Sequence, residues 1–525
     1  MKGLLAALAL GSTVFAAGSR GAENPAATTR GRSFDLEKIQ HVVVIYQENW
    51  SYDALYGSFP RSNGYALGRP VVQLDLAEKP QPIRTLPPAL YPAGAATLVD
   101  PRFPFTQRTA LFDMKKFMPV SGRTGDLIHA FYTEQLQING GRMDGFVAWT
   151  NNPGLVLGSF DASRLPEGRL AAEYVMCDNN FHSAFGGSYL NHLFFISAQM
   201  PVWPEALTAR KASDLIARAG APATITAATV EFPARSGLLR LPTVSKDGRA
   251  TYAKARADAL PDPVVPAANV FWRAPLNPGF AAFDNLLSIE PTVPGGKDYY
   301  SVNTTQPSNW PFEVAGPFLP LLTGETIGDR LSAARVGWKW YAEGWDKAVA
   351  GEKDTDGFAT HHQPFNYYAN YAPGTPGRQH LVDLKQITAD LAADQLPAVA
   401  FVKFGESDEH PGRSLMTGQQ AVADLVGQIQ KSPAWASTLI VITYDENGGR
   451  WDHVSPPVIK DDPWGPGTRV PMILISPFVK RHFVDHTPYE TVSVLRFIED
   501  RWKLAPLGTR DAQANSFTAA FDPAK

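Results

Sequence analysis

The chain has 525 residues, 44% apolar and 19% charged, which permits a large buried core and excludes a disordered or collagen-like polymer. A formal charge of −3 leaves no basic footprint, so nucleic acid is not expected as a partner. The single cysteine, Cys177, excludes an intramolecular disulfide and a thiolate metal cluster, and it reads as a packed small residue.

In chain order, Met1-Lys2-Gly3, an apolar run from Leu4 to Phe15 and the small residues Ala16-Ala17-Gly18 have the layout of a secretory signal peptide over residues 1–17. The alternative is a buried N-terminal helix. The first reading predicts export, to the periplasm or beyond the cell. The run is short for a bilayer span and no later stretch of roughly twenty apolar residues follows, so stable membrane insertion is not expected. Residues 33–525 read as one catalytic domain, with an Ala/Pro-rich insertion or cap from about Pro201 to Gly296.

Four short β-branched segments predict buried strands: His41–Tyr46, Ala398–Lys403, Thr438–Thr443 and Val470–Ile475. Amphipathic spacing predicts helices over Asp383–Gln395, Met416–Lys431 and Thr491–Trp502, and another over Ile327–Ala350, whose Trp338, Trp340, Tyr341 and Trp345 read as core. Strands alternating with helices predict an α/β fold, a mostly parallel central sheet sandwiched by helices.

In such a sheet ligands bind beyond the carboxyl ends of the strands. Two of these strands end in oxygen-rich clusters, Glu48-Asn49 and Asp445-Glu446. Four oxygen donors suit one hard divalent ion of undetermined identity. The competing reading makes them helix caps and turn residues. Phe185-Gly-Gly-Ser188 would let backbone amides approach a phosphate, with the positive end of a helix starting at Ser188 behind them; a plain serine cap is the alternative. His129, His361, His362, His410 and His453 stand in polar surroundings. If they cluster, protonated imidazoles would serve phosphoryl transfer and favour an acid pH optimum.

Together, Val42-Val-Val-Ile-Tyr-Gln-Glu48-Asn49-Trp-Ser-Tyr-Asp53, Phe185-Gly-Gly-Ser188-Tyr-Leu-Asn-His192, His361-His362-Gln-Pro-Phe-Asn-Tyr-Tyr368, Glu409-His410-Pro-Gly412 and Asp445-Glu446-Asn-Gly-Gly449 resemble the bacterial phosphoesterase family. That family unites certain secreted acid phosphatases with bacterial phospholipases C, and its core is similar to the alkaline phosphatase superfamily. The resemblance runs from about Ile39 to Trp502. It implies metal ligands at Glu48, Asn49, Asp445 and Glu446, with Ser188 as nucleophile on the same ion. It also implies phosphate-surrounding groups at His129, His361, His362 and His410, with Asn303 as a further substrate-binding residue.

The implied reaction is two-step, through a phosphoserine, on phosphorylated small molecules. Gly-Gly-Ser188-Tyr-Leu-Asn-His resembles the acid phosphatase branch rather than the Thr-His-Pro-Asn pattern of the lipases, and no β domain follows Leu504 as in those lipases. Acid phosphatase is therefore the expected activity, phospholipase C its alternative, and a non-catalytic phosphate- or metal-binding protein the third. A sulfatase is disfavoured, because Cys177-Asp-Asn-Asn-Phe181 lacks the Cys/Ser-x-Pro-x-Arg setting.

Overall fold

The computed structural model describes residues 34–525 apart from 76–79, 94–95, 105–106, most of 201–320, 353–354, 356, 461 and 463. The signal peptide at 1–17, nearly all of the 201–296 insertion and Asn303 lie outside the described residues.

Eight strands form the central sheet among these residues: β1 His41–Gln47, β2 Val175–Cys177, β3 Trp338–Ala342, β4 Leu381–Asp383, β5 Val399–Lys403, β6 Thr438–Tyr444, β7 Met472–Ile475 and β8 Phe483–Asp485. Their order is β4-β3-β5-β1-β6-β7-β2-β8. Every pair is parallel except those of β7, which runs against both β6 and β2. The mostly parallel sheet expected from the sequence is thus present. Residues of β5, β6 and β7 are buried at every position, so both faces are covered, which is why these strands read as continuous apolar runs rather than alternating ones.

The amphipathic helices expected over Asp383–Gln395, Met416–Lys431 and Thr491–Trp502 fall close to those bounds, and further helices precede them. α1 is Phe131–Ile138, α2 Pro166–Glu173, α3 Ser188–Ser197, α4 Lys385–Ala392, α5 Leu415–Lys431 and α6 Val492–Trp502. α5 buries Leu415, Gly418, Val422, Leu425, Val426 and Ile429, one stripe at helical spacing, and Ser414 caps its start by accepting from the Thr417 amide at 3.2 Å. β7 starts at Met472 rather than Val470, since Pro471 has no amide hydrogen to give the ladder.

One expected helix is wrong. Ile327–Ala350 is helical only at Ile327–Ala333 and again at Trp345–Val349; between them Arg335 adopts a left-handed φ of 57°, and Trp338–Ala342 forms β3. Trp338, Trp340 and Tyr341 are buried as expected, but between β4 and β5 in a sheet, and Lys339 between the tryptophans points out to pair with Asp390 at 2.6 Å. Aromatic side chains favour that pleated setting, and tertiary burial overrides the helical spacing.

α6 carries an internal acid. Glu499 is buried, and burial with Asp511 nearby pushes its carboxyl up to about 9. The folded chain therefore holds a proton that the unfolded chain releases near pH 4.3, so this group's contribution to stability falls as pH rises from there toward 9. Glu499→Gln, which mimics the protonated acid, is expected to match the parent's melting temperature at about pH 5 and exceed it at about pH 8. A gap of equal size at both pH values would refute this.

Candidate metal centre and serine site

The carboxyl ends of β1 and β6 lie side by side, with Gln47 opposite Tyr444. The next residues, Glu48-Asn49 and Asp445-Glu446, therefore meet at one point, all buried. The Asn49 side-chain amide donates to Glu446 Oε1, and the Glu446 amide donates to Asp445 Oδ1 at 2.8 Å. The chain then turns through Gly448 and Gly449, both at positive φ. A Cβ on Gly448 would sit 2.3 Å from the Asn49 carbonyl oxygen, so only glycine lets the two loops close on each other.

Charge is unevenly met in this cluster. Burial opposes ionisation of Glu48, but Lys403 and His362 outweigh it and hold the carboxyl well below its usual range. Lys403 Nζ and His362 Nε2 each lie 2.8 Å from Glu48 Oε1. Asp445 and Glu446 are less well met: burial and then Glu48 raise Asp445 against a smaller lowering by Lys403, and burial followed by Asp445 raises Glu446. Ser188 faces the Asp445 carboxylate and favours its charged form. Asp445 Oδ2 and Asn49 Oδ1 are buried with no hydrogen-bond partner among the described residues. Orphaned acceptor oxygens beside unneutralised carboxylates are what a hard divalent cation binds, so the residues present fit a metal ion. Ligand atoms of Glu48, His192 and Asp445 also lie within 4.8 Å of one another.

Ser188 is delivered by a different segment. α3 begins at Ser188, as expected, and all ten of its residues are buried. The preceding turn is fastened by Asn191, whose Oδ1 accepts from Ala184 N at 3.0 Å and whose amide donates to the Gly186 and Gly187 carbonyls at 3.2 Å. Glu134 of α1 accepts from Gly186 N at 2.7 Å and pairs with His182 Nε2 at 2.8 Å. Gly186 has φ +89°, and a Cβ there would lie 2.4 Å from Phe131 N. The glycines bring the backbone up against α1 and leave the serine hydroxyl at the helix N-terminus.

Glu48, Ser188, His129, His361, His362 and His410 line one cavity of about 400 Å³. Asn49, Asp445 and Glu446 back it: His129 Nε2 lies 3.7 Å from Glu446 Oε1, and His361 Nε2 3.8 Å from Glu48 Oε1. The clustering of histidines assumed from the sequence is present, but charge is not free to them all. Burial and then Lys403 push both His192 and His362 down, favouring neutral imidazole. His453 stands apart, bound to Asp53 at 2.6 Å in a network where Arg469 also bridges Asp452 at 2.8 Å.

Two residues escaped the sequence reading. His192, one helical turn after Ser188, donates from Nδ1 to the Ser188 carbonyl at 2.8 Å, and Nδ1 lies 3.7 Å from Asp445 Oδ2. Its signal was its i+4 spacing from Ser188. Lys403 is a fully buried lysine ending an apolar strand; a charge closing such a run was the signal available. At the cavity wall, Asp408 pairs with Arg413 at 2.6 Å.

The model of the Phosphoesterase family matches residues 39–505. Among curated proteins, non-specific phospholipase C6 of Arabidopsis thaliana is 31% identical over 170 residues, covering 26% of this chain and 32% of that protein. Non-hemolytic phospholipase C of Pseudomonas aeruginosa is 26% identical over 250 residues (39% and 34%), and that of Burkholderia pseudomallei 28% over 248 residues (38% and 35%). The matched part thus spans about a third of the length of these relatives, 32 to 35%. Among solved structures, an alkaline phosphatase superfamily protein from Vibrio parahaemolyticus has a TM-score of 0.25 at 12% identity, covering 37% of this chain and 52% of that one. A phosphonate monoester hydrolase from Silicibacter pomeroyi has a TM-score of 0.21 at 14% identity, covering 66% and 70%. Likenesses that slight bear no weight. The match over most of the length does: the chain belongs to the phosphoesterase family.

Proposed function

We propose that the chain is an exported acid phosphatase that hydrolyses phosphate monoesters through Ser188. The observation that carries this reading is the meeting of a serine at a helix N-terminus with buried carboxylates on one side and a histidine-lined cavity on the other. Glu48, Asn49, Asp445 and Glu446, with the Ser188 hydroxyl, would hold a divalent ion, which would act as a Lewis acid toward the serine and the phosphoryl oxygens.

Within the chain, the turn fastened by Asn191 fixes the Ser188 Oγ for in-line attack on phosphorus. The ester bond to the leaving alcohol breaks as the bond to Oγ forms, and the positive end of α3 faces the negative charge on the phosphoryl group. His129 and His361 flank the cavity and donate to the equatorial oxygens. The leaving oxygen needs a proton, and His410 is placed to give it: its side chain is 27% exposed against 7% for His129 and His361, so it stands at the mouth where the alcohol departs. Water then cleaves the phosphoserine, releasing phosphate and restoring Ser188.

Phospholipase C activity is the second reading, favoured by the names of the relatives. Against it stands the Gly-Gly-Ser188-Tyr-Leu-Asn-His sequence, which resembles the acid phosphatase branch.

Ser188→Ala is expected to lower kcat at least about a thousandfold while the protein stays folded; near-normal turnover in that variant with metal bound excludes a serine nucleophile. His410→Ala should slow alkyl phosphates far more than p-nitrophenyl phosphate, whose leaving group needs no proton, and equal losses on both would remove His410 from the acid's role. Prolonged chelation is expected to abolish turnover and lower the melting temperature, with both restored by a divalent ion, because Asp445 and Glu446 otherwise lack a counter-charge. Rates on p-nitrophenyl phosphate against phosphatidylcholine micelles decide between the two readings, and dominant lipid turnover overturns the first.

A further inference from the structure

Lys403 closes β5, the strand between β3 and β1, and its side chain is fully buried. A lysine in that position is costly unless its charge is matched. Its match is Glu48: Nζ lies 2.8 Å from Oε1. The ion pairs that Glu48 makes with Lys403, His361 and His362 all fall on that same oxygen. None of these pairs uses Oε2. Nearby, buried Asp408 has its own ion pair with Arg413 at 2.6 Å, so its charge is met there even though Lys403 also favours it.

We infer that Lys403 is a positioning residue, a fixed internal cation that takes one oxygen of Glu48 and sets the charge of the metal centre so that a single divalent ion completes it. This rests on the metal-centre reading above. Three buried carboxylates, Glu48, Asp445 and Glu446, face one buried ammonium. The excess of two negative charges is what one divalent ion carries. A second such ion would leave the pocket strongly positive and compete with Lys403 for Glu48 Oε1. With one ion in place the centre is neutral, so an anionic phosphate enters without net repulsion.

A merely structural lysine and a fixed counter-charge differ in the signs of their effects. Removing the charge makes the centre more negative, which favours the cation and disfavours the anion. The test uses the full chain freed of metal, titrated calorimetrically with Mn²⁺, and then the Mn²⁺-loaded protein titrated with inorganic phosphate. The parent is expected to bind one Mn²⁺ per chain. Lys403→Gln and Lys403→Met are expected to bind Mn²⁺ more tightly and phosphate more weakly, each by roughly tenfold. Affinities for both ligands that fall together, or that stay unchanged, overturn the inference while leaving the metal centre standing. If neither variant folds, Lys403→Arg, which keeps the charge, decides: parent-like affinities for Mn²⁺ and phosphate support the inference, and loss of both overturns it. A parent that takes up no divalent ion brings down the metal-centre reading itself.

Discussion

Like charges crowded out of water are the constraint around which this molecule is built. Glu48, Asp445 and Glu446 project from the ends of two adjacent parallel strands into a space with almost no solvent. Water cannot screen them there, and their mutual repulsion is relieved only by groups the fold brings to them. Lys403 and His362 serve Glu48; the amides of Glu446 and Gly448 serve the other two carboxylates. What those partners leave unmet gives the pocket its appetite for a cation. The sheet supplies the rigidity that makes such an arrangement durable, since strands covered on both faces cannot shift to let the acids drift apart.

The other half of the site is organised differently. Where the acids depend on a parallel register, the serine depends on a local fastening of loop to helix. The two halves face each other across the cavity, with histidines from three further loops between them. Such a division suits a reaction in which one side must hold charge still while the other forms and breaks a covalent bond.

Much of this could be read along the chain. Strands covered on both faces announce themselves as unbroken apolar runs, and the polar clusters that follow β1 and β6 stand out because they end those runs abruptly. The start of α3 at Ser188 was legible because two glycines precede it. Trp338–Ala342 was not: its aromatics satisfy a helical spacing as well as an alternating one, and only the neighbours β4 and β5 decide between them. Lys403 was hidden for another reason. A lysine after an apolar strand is ordinarily the first residue back in water, and its inward turn is explained by Glu48, which lies 355 positions earlier in the sequence. The neutral tendency of His362 was equally out of reach, since it comes from burial and from that same lysine.

The fastening of the serine turn has its own consequence. Asn191, Glu134 and the glycine backbone fasten the turn that carries Ser188 without help from Glu48, Asn49 or Glu446, and its hydroxyl already faces Asp445. On the proposed reading, the Ser188 hydroxyl is mounted before any ion arrives and would not have to be recruited by the metal. On that reading, assembly of the centre would be a matter of filling a gap beside a hydroxyl already in place, and the ion-free chain would be a dormant enzyme rather than an unmade one.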